Sequence, residues 1–357
     1  MTSNPYKALP DKAFWRRTVA SPAPGEVDPV GEFGLTIRPE TKVATAGSCF
    51  AQHIARYLKN SGYNYYIAET GHPHLSEPAL QANNYGLYSA RYGNIYTARQ
   101  LRQLIERAYG RFSPSESCWQ EAEDKYLDPF RPTAQPGGFV SRAELEADRA
   151  QHLAAVRSMF ETLDVFVFTL GLTECWRSKV DGAVFPLCPG VEGGKFDPET
   201  HEFYNQDVDD VLEDLTVVRG AICEVNPDAE IILTVSPVPL MATAEPGANV
   251  LSATTYSKSV LRVAAETMRK RHSNVHYFPS YEIISGAFNR GGYYADDLRN
   301  VVETGVSHVM GLFMKHVTAG VAASQPPAKC SDAKAELMRK AQEMVEVECD
   351  EVALDRE

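Results

Sequence analysis

The chain has 357 residues, with 35 Lys+Arg against 47 Asp+Glu, a formal charge of −12, and 44% apolar residues. That length supports one large domain or two ordinary ones, and either can bury a real core. The acidic balance argues against a nucleic-acid partner or anionic lipid, and no apolar run approaches the ~20 residues of a membrane helix.

Residues 1–40 are rich in Pro, Gly and charge and read as an irregular arm. The opening MTSNPYKALPDKAFWRRTVA has no apolar core of the kind a secretory signal needs. The seven cysteines, Cys49, Cys118, Cys175, Cys188, Cys223, Cys330 and Cys349, are scattered and form no C-x-x-C pair. Reduced thiols and a cytoplasmic location are the expectation.

Alternation begins at Lys42, where the β-prone KVATAG breaks at Gly47 into a helix in which Phe50, Ile54, Tyr57 and Leu58 recur at helical spacing. A second β-prone run, YNYYIA, covers residues 63–68, and a long loop leads to a helix over 98–109. Residues 110–140 read as an irregular excursion, and Ser141 with Glu144 as the capping box of a helix to Phe160. DVFVFTLG (164–171) is the continuous apolar run of a strand buried on both faces. After a second excursion over 182–205 come a helix to Asn226, strand EIILTVSP, helix SATTYSKSVLRVAAETMRKR, strand VHYFP and a helix over 303–316. The pattern predicts a domain over 41–324: a three-layer α/β/α sandwich with a mostly parallel sheet, followed by an acidic tail helix over 325–357.

In such sheets ligands sit beyond the carboxyl ends of the strands. Gly47-Ser48 occupies one such end, where Ser48 is either a nucleophile whose own N–H helps hold an oxyanion or simply a helix N-cap. Cys49 is a second candidate nucleophile. Gly93-Asn94 can face a carbonyl oxygen developing charge or serve turn chemistry. Thr173 and Glu174 follow the best strand, and Glu282 follows the last one; either glutamate can act as acid/base, bind a sugar hydroxyl, or pair with an arginine such as Arg177. Tyr85, Tyr88, Tyr92 and Trp176 suit sugar stacking. Adjacent helix residues do not face each other, so Ser257-Lys258 is not read as a dyad.

The pentapeptide Gly47-Ser48-Cys49-Phe50-Ala51, with Tyr92-Gly93-Asn94, TLGLTECW, Thr234 to Pro239, Phe278 to Glu282 and Tyr294 to Asp297, resembles the GSCFA family. That family looks like a branch of the SGNH/GDSL hydrolases, so the resemblance implies a flavodoxin-like fold and ester or acyl-transfer chemistry. It places Ser48 on the nucleophile, Gly93 on the oxyanion glycine, Thr173 where an asparagine donor stands, and Asp297 on the Asp of an Asp-x-x-His element whose histidine is replaced by Asn300.

An amide cannot take the serine proton, and losing such a base costs a factor of about 10⁴. His53, in the first turns after Ser48, is the replacement base that the sequence suggests, its pKa lowered by the helix N-terminus. His308 lies eight residues past Asn300, and His72 and His74 lie on a loop. The expectation is a serine-dependent hydrolase or O-acyltransferase for a small or glycan-linked ester; the alternative is a non-catalytic binder of such a ligand. No cofactor or metal is expected, given the absence of G-x-x-x-x-G-K-[ST], G-x-G-x-x-G and H-E-x-x-H. A homo-oligomer is left open.

Overall fold

A computed structural model describes residues 4–48 and 50–319. Cys49 and the tail helix expected over 325–357 therefore lie outside the described residues. In chain order the elements begin with β1 (Val43–Gly47), α1 (Ala51–Asn60), a short α2 (Glu77–Ala82) and α3 (Ala98–Ala108). A hairpin of β2 (Trp119–Ala122) and β3 (Lys125–Leu127) precedes α4 (Arg142–Thr162) and β4 (Val165–Leu170). Then come β5 (Glu174–Ser178), β6 (Val184–Phe185), β7 (His201–Asn205), α5 (Val208–Val225) and β8 (Glu230–Val235). The last elements are α6 (Val250–Arg271), β9 (Val275–Tyr277), α7 (Ser280–Ser285) and α8 (Glu303–Val317).

The central sheet is parallel throughout, in the order β1-β4-β8-β9. Its apolar side chains alternate between faces, as the two-residue period of a strand requires. Ala44, Phe166, Phe168, Ile231 and Leu233 pack under α3 to α6. Val43, Val165, Val167 and Ile232 pack under α1, α7 and α8. This is the anticipated α/β/α sandwich. The β-prone run over 63–68 forms a single parallel bridge from Tyr65 to Val43, which completes the flavodoxin-like strand order at that edge. The arm is fastened through Ile37, fully buried, whose N–H reaches Val317 O and whose carbonyl receives Ala319 N–H.

Both excursions carry more regular structure than their composition suggests. β5, β6 and β7 form an antiparallel sheet that begins immediately after the end of β4. Residues 174–178, to which the sequence reading assigns no element, are its central strand, because each edge is paired: Trp176 opposite Phe185 on one side and Phe203 on the other. Among the described residues, no helix is long and apolar enough to cross a membrane.

Candidate active site

Three turns meet beyond the ends of β1 and β4, and backbone hydrogen bonds lock them together. Ile95 N–H donates to Gly47 O at 2.9 Å, and Gly171 and Leu172 N–H both donate to Tyr96 O at 3.0 and 2.9 Å. Gly47 is required here: at φ +137° a Cβ would lie 2.3 Å from Thr169 O. Gly171 is similarly confined, since a Cβ would lie 3.3 Å from Ser48 Cβ. The segments holding Gly47-Ser48, Gly93-Asn94 and Gly171-Leu172 are thus neighbours in space.

Ser48 is 4% exposed and its hydroxyl has no hydrogen-bond partner among the described residues. It is not the helix N-cap, because α1 begins at Ala51 with Phe50 in the cap position and no side-chain cap bond. A buried hydroxyl without a partner forgoes a favourable interaction, and such groups in folded proteins call for an explanation. The Ser48 N–H, expected to help hold an oxyanion, instead faces Thr169 O at 3.3 Å. Gly93, at φ +71°, has open space beside it and its N–H is free of any acceptor among the described residues. Asn94 is buried beside it.

Thr173 offers no donor to this mouth. Its N–H goes to Ser257 Oγ at 3.0 Å and its hydroxyl to Asn205 Oδ1 at 2.8 Å. The next residue of α6, Lys258, is 1% exposed and its ammonium donates to Gly171 O at 2.7 Å. Ser257 and Lys258 are not a dyad, yet together they hold the Gly171 to Thr173 turn, a role that sequence reasoning missed.

The loop before α8 holds Asp297, whose Oδ1 accepts the N–H groups of Arg299 and Asn300 at 2.9 Å each. Its Oδ2 accepts the Asn300 amide at 2.7 Å, and both residues are exposed. No histidine bonds the Ser48 hydroxyl. His53 lies on α1 with Nδ1 3.0 Å from Arg56 Nη2. A guanidinium only donates, so Nδ1 accepts and the ring proton sits on Nε2. The lone pair that a base needs is therefore already in use. Burial, then the Arg56 charge, hold the His53 pKa down to about 3, too low for proton transfer near neutral pH. The arrangement thus does not supply the base expected at His53.

The other candidates have structural partners. His308 faces the Tyr293 hydroxyl at 2.9 Å, and His72 and His74 pack on each other with ring centroids 5.1 Å apart. Among the described residues no cluster of three or more His, Cys, Asp or Glu could hold a metal. Glu282 is engaged by Arg262 at 2.6 Å and the Tyr277 hydroxyl at 2.7 Å. Arg177 pairs with Glu202 rather than with either candidate glutamate. Glu174 is half-buried, accepts the Thr243 hydroxyl at 2.7 Å and Ala244 N–H at 3.3 Å, and burial raises its pKa.

Glu174 also lines a cavity of about 300 Å³ whose wall includes Tyr96, Leu172, Trp176, Phe203 and Leu240. Leu172, which follows Gly171, and Tyr96, whose carbonyl accepts the Gly171 N–H, are both part of this chamber's wall. Of the four aromatics suggested for stacking, Trp176 lines it. Tyr85 instead stacks on Arg91, Tyr88 accepts from Gln52, and the Tyr92 hydroxyl bonds Thr45 O.

No relative was found among curated proteins. Among solved structures, a carbohydrate esterase family 3 protein from Talaromyces cellulolyticus is similar at 10% identity and TM-score 0.34, over 76% of this chain and 94% of that one. The family model described as GSCFA family matches residues 42–313. With the fold and the converging turns in place, the chain belongs to the GSCFA family.

Proposed function

We propose that the mouth beyond β1 and β4 binds an acyl ester, small or carried on a glycan, and that Ser48 accepts the acyl group as an SGNH-type esterase or O-acyltransferase. The observation that carries this reading is the buried, unpartnered Ser48 hydroxyl at the junction of three locked turns. In the acylation step the Ser48 Oγ–carbonyl bond forms, the ester C–O bond breaks, and the serine proton leaves with the alcohol. Gly93 N–H is the free donor available to the carbonyl oxygen as it gains charge. The acyl-enzyme then passes its acyl group to water or to a sugar hydroxyl.

The proton transfer calls for a base, and in this arrangement His53 becomes one only by leaving Arg56. A second reading follows from that pairing and from Asn300 at the histidine position: the same pocket binds an acylated ligand without turning it over. Mass spectrometry after incubation with p-nitrophenyl acetate separates the two. The expected result is an acyl adduct on the Ser48 peptide, absent in Ser48→Ala. Ligand binding with neither adduct nor turnover would establish the second reading instead.

A further inference from the structure

The chamber beside Leu172 pairs an aromatic wall with one carboxylate. Tyr96, Trp176, Phe185 and Phe203 share that wall with Glu174. Glu174 Oε1 accepts the Thr243 hydroxyl at 2.7 Å, and Oε2 accepts the Ala244 N–H at 3.3 Å. Thr243 and Ala244 belong to the wall as well, so the carboxylate is held on the stretch that they form. Each carboxylate oxygen has two acceptor positions, and one stays open on each.

No cation balances this carboxylate among the described residues. Arg177, three residues along β5, pairs with Glu202 at 2.7 Å and stacks on Tyr204. The charge that acts on Glu174 is that of Glu245, also negative, and Glu245 in turn accepts only the neutral Asn205 amide, at 3.0 Å. Burial, and beyond it this repulsion, raise the Glu174 pKa. Hydroxyl and amide donors satisfy lone pairs but leave the charge uncancelled, and a charge drawn out of water without a counter-charge costs free energy. Aromatic faces attract cations through their ring quadrupoles, most strongly where water is excluded. The wall and the carboxylate therefore favour the same kind of ligand, and about 300 Å³ is enough for a small organic molecule.

We infer that this chamber binds a primary alkylammonium group, its cation held by Glu174 and the aromatic side chains, its methylenes against the apolar remainder of the wall. The ammonium donates to the open acceptor positions of the carboxylate and supplies the missing positive charge. It enters already protonated, so Glu174 stays ionised and no proton changes hands. Leu172, Leu187 and Leu240 give the attached chain an apolar surface to bury. The site rests on the chamber alone and stands whether or not Ser48 accepts an acyl group.

Calorimetric titration with hexylammonium, 1-hexanol and hexanoate, at neutral pH and fixed ionic strength, tests this, because the three share a chain and differ in charge. Hexylammonium is expected to bind at least about tenfold more tightly than hexanol, and hexanoate more weakly than either. Glu174→Gln keeps the shape of the side chain and an acceptor for Thr243. It should abolish the preference for the cation while leaving hexanol within about twofold of wild type. Val191→Phe, which fills part of the chamber, should weaken hexylammonium and hexanol alike. Equal affinities in wild type, or no binding of hexylammonium, overturn the proposal. A preference that survives Glu174→Gln also overturns it, since the cation is then drawn by the acidic surface at large. If Glu174→Gln does not fold, the wild-type ranking with Val191→Phe decides: a lead for hexylammonium that Val191→Phe abolishes supports the site, and one that it leaves intact overturns it.

Discussion

The Asn300 side-chain amide donates to Asp297 Oδ2 at 2.7 Å, so this carboxylate holds an amide where the proposed esterase would call for an imidazole. The surrounding turn is intact, since Asp297 Oδ1 also caps the N–H groups of Arg299 and Asn300. An imidazole at residue 300 would therefore find its orienting partner already positioned, with Nδ1–H on the carboxylate and Nε2 free.

Asn300→His is accordingly expected to raise ester hydrolysis by at least about tenfold, a small part of the roughly 10⁴ that a triad base supplies. The gain should follow imidazole deprotonation, rising as pH passes through the ordinary histidine range. Steady-state kinetics on p-nitrophenyl acetate, with the Ser48→Ala/Asn300→His double variant as control, checks this. An unchanged rate in the single variant would mean that the loop does not reach Ser48.

Gly47→Ala should destabilise the fold by about 3 kcal/mol or more, through strain at positive φ and the 2.3 Å approach to Thr169 O. Chemical denaturation gives the number directly. Gly93→Ala makes the contrast: its φ is also positive, yet open space surrounds it, so the smaller cost should reflect backbone strain alone.

The contrast between those glycines shows where sequence is informative. The buried strands were legible because Val165–Leu170 and Glu230–Val235 are largely apolar, β-branched or aromatic runs, and Gly47-Ser48 because it interrupts one. Glu174 to Ser178 was not, since half-buried polar residues pair as a strand only when residues 184–185 and 201–205 arrive on either side. His152 gave no local signal either, as its partner Glu69 lies 83 residues away. Ser257 and Lys258 were set aside by a correct rule about adjacent helix residues, which says nothing of a distant turn that both of them hold.

Ser257→Ala should leave Thr173 N–H buried and unpaired, costing about 1–3 kcal/mol. The same change frees the turn that carries Gly171, so ligand affinity at the Ser48 mouth should fall with stability. Ser257→Thr keeps the hydroxyl and should restore much of both. Melting temperature and binding measured on the pair distinguish a lost hydrogen bond from a lost side-chain volume.

Acid should weaken the protein through His152. Its folded-state pKa is held down to about 4 by burial, reinforced by the Arg131 charge, against about 6.5 in an unfolded chain. Above that value both states are neutral and the group contributes no pH dependence. Between the two values the unfolded chain binds a proton that the folded one refuses, so stability falls as pH falls, by up to about 1.4 kcal/mol per pH unit. Denaturation midpoints should decline across this window. His152→Gln should flatten that decline, whatever its effect on stability at neutral pH.

The 300 Å³ chamber beside Leu172 makes a prediction about chain length. Its wall is mostly apolar and includes Trp176, Phe203, Leu187, Val191, Tyr96 and Leu172. An acyl chain entering from the Ser48 turn would bury its methylenes there at ~0.8 kcal/mol each, while an acetyl group would barely enter. Val191→Phe fills part of that space without touching the turns around Ser48. It should weaken binding of an octanoyl methyl ketone by roughly tenfold or more, and leave the acetyl analogue within about twofold. Calorimetric titration of both ketones against wild type and variant provides the ratio. Equal losses for the two would place the acyl group elsewhere, because a remote volume change cannot discriminate between chains that never occupy it.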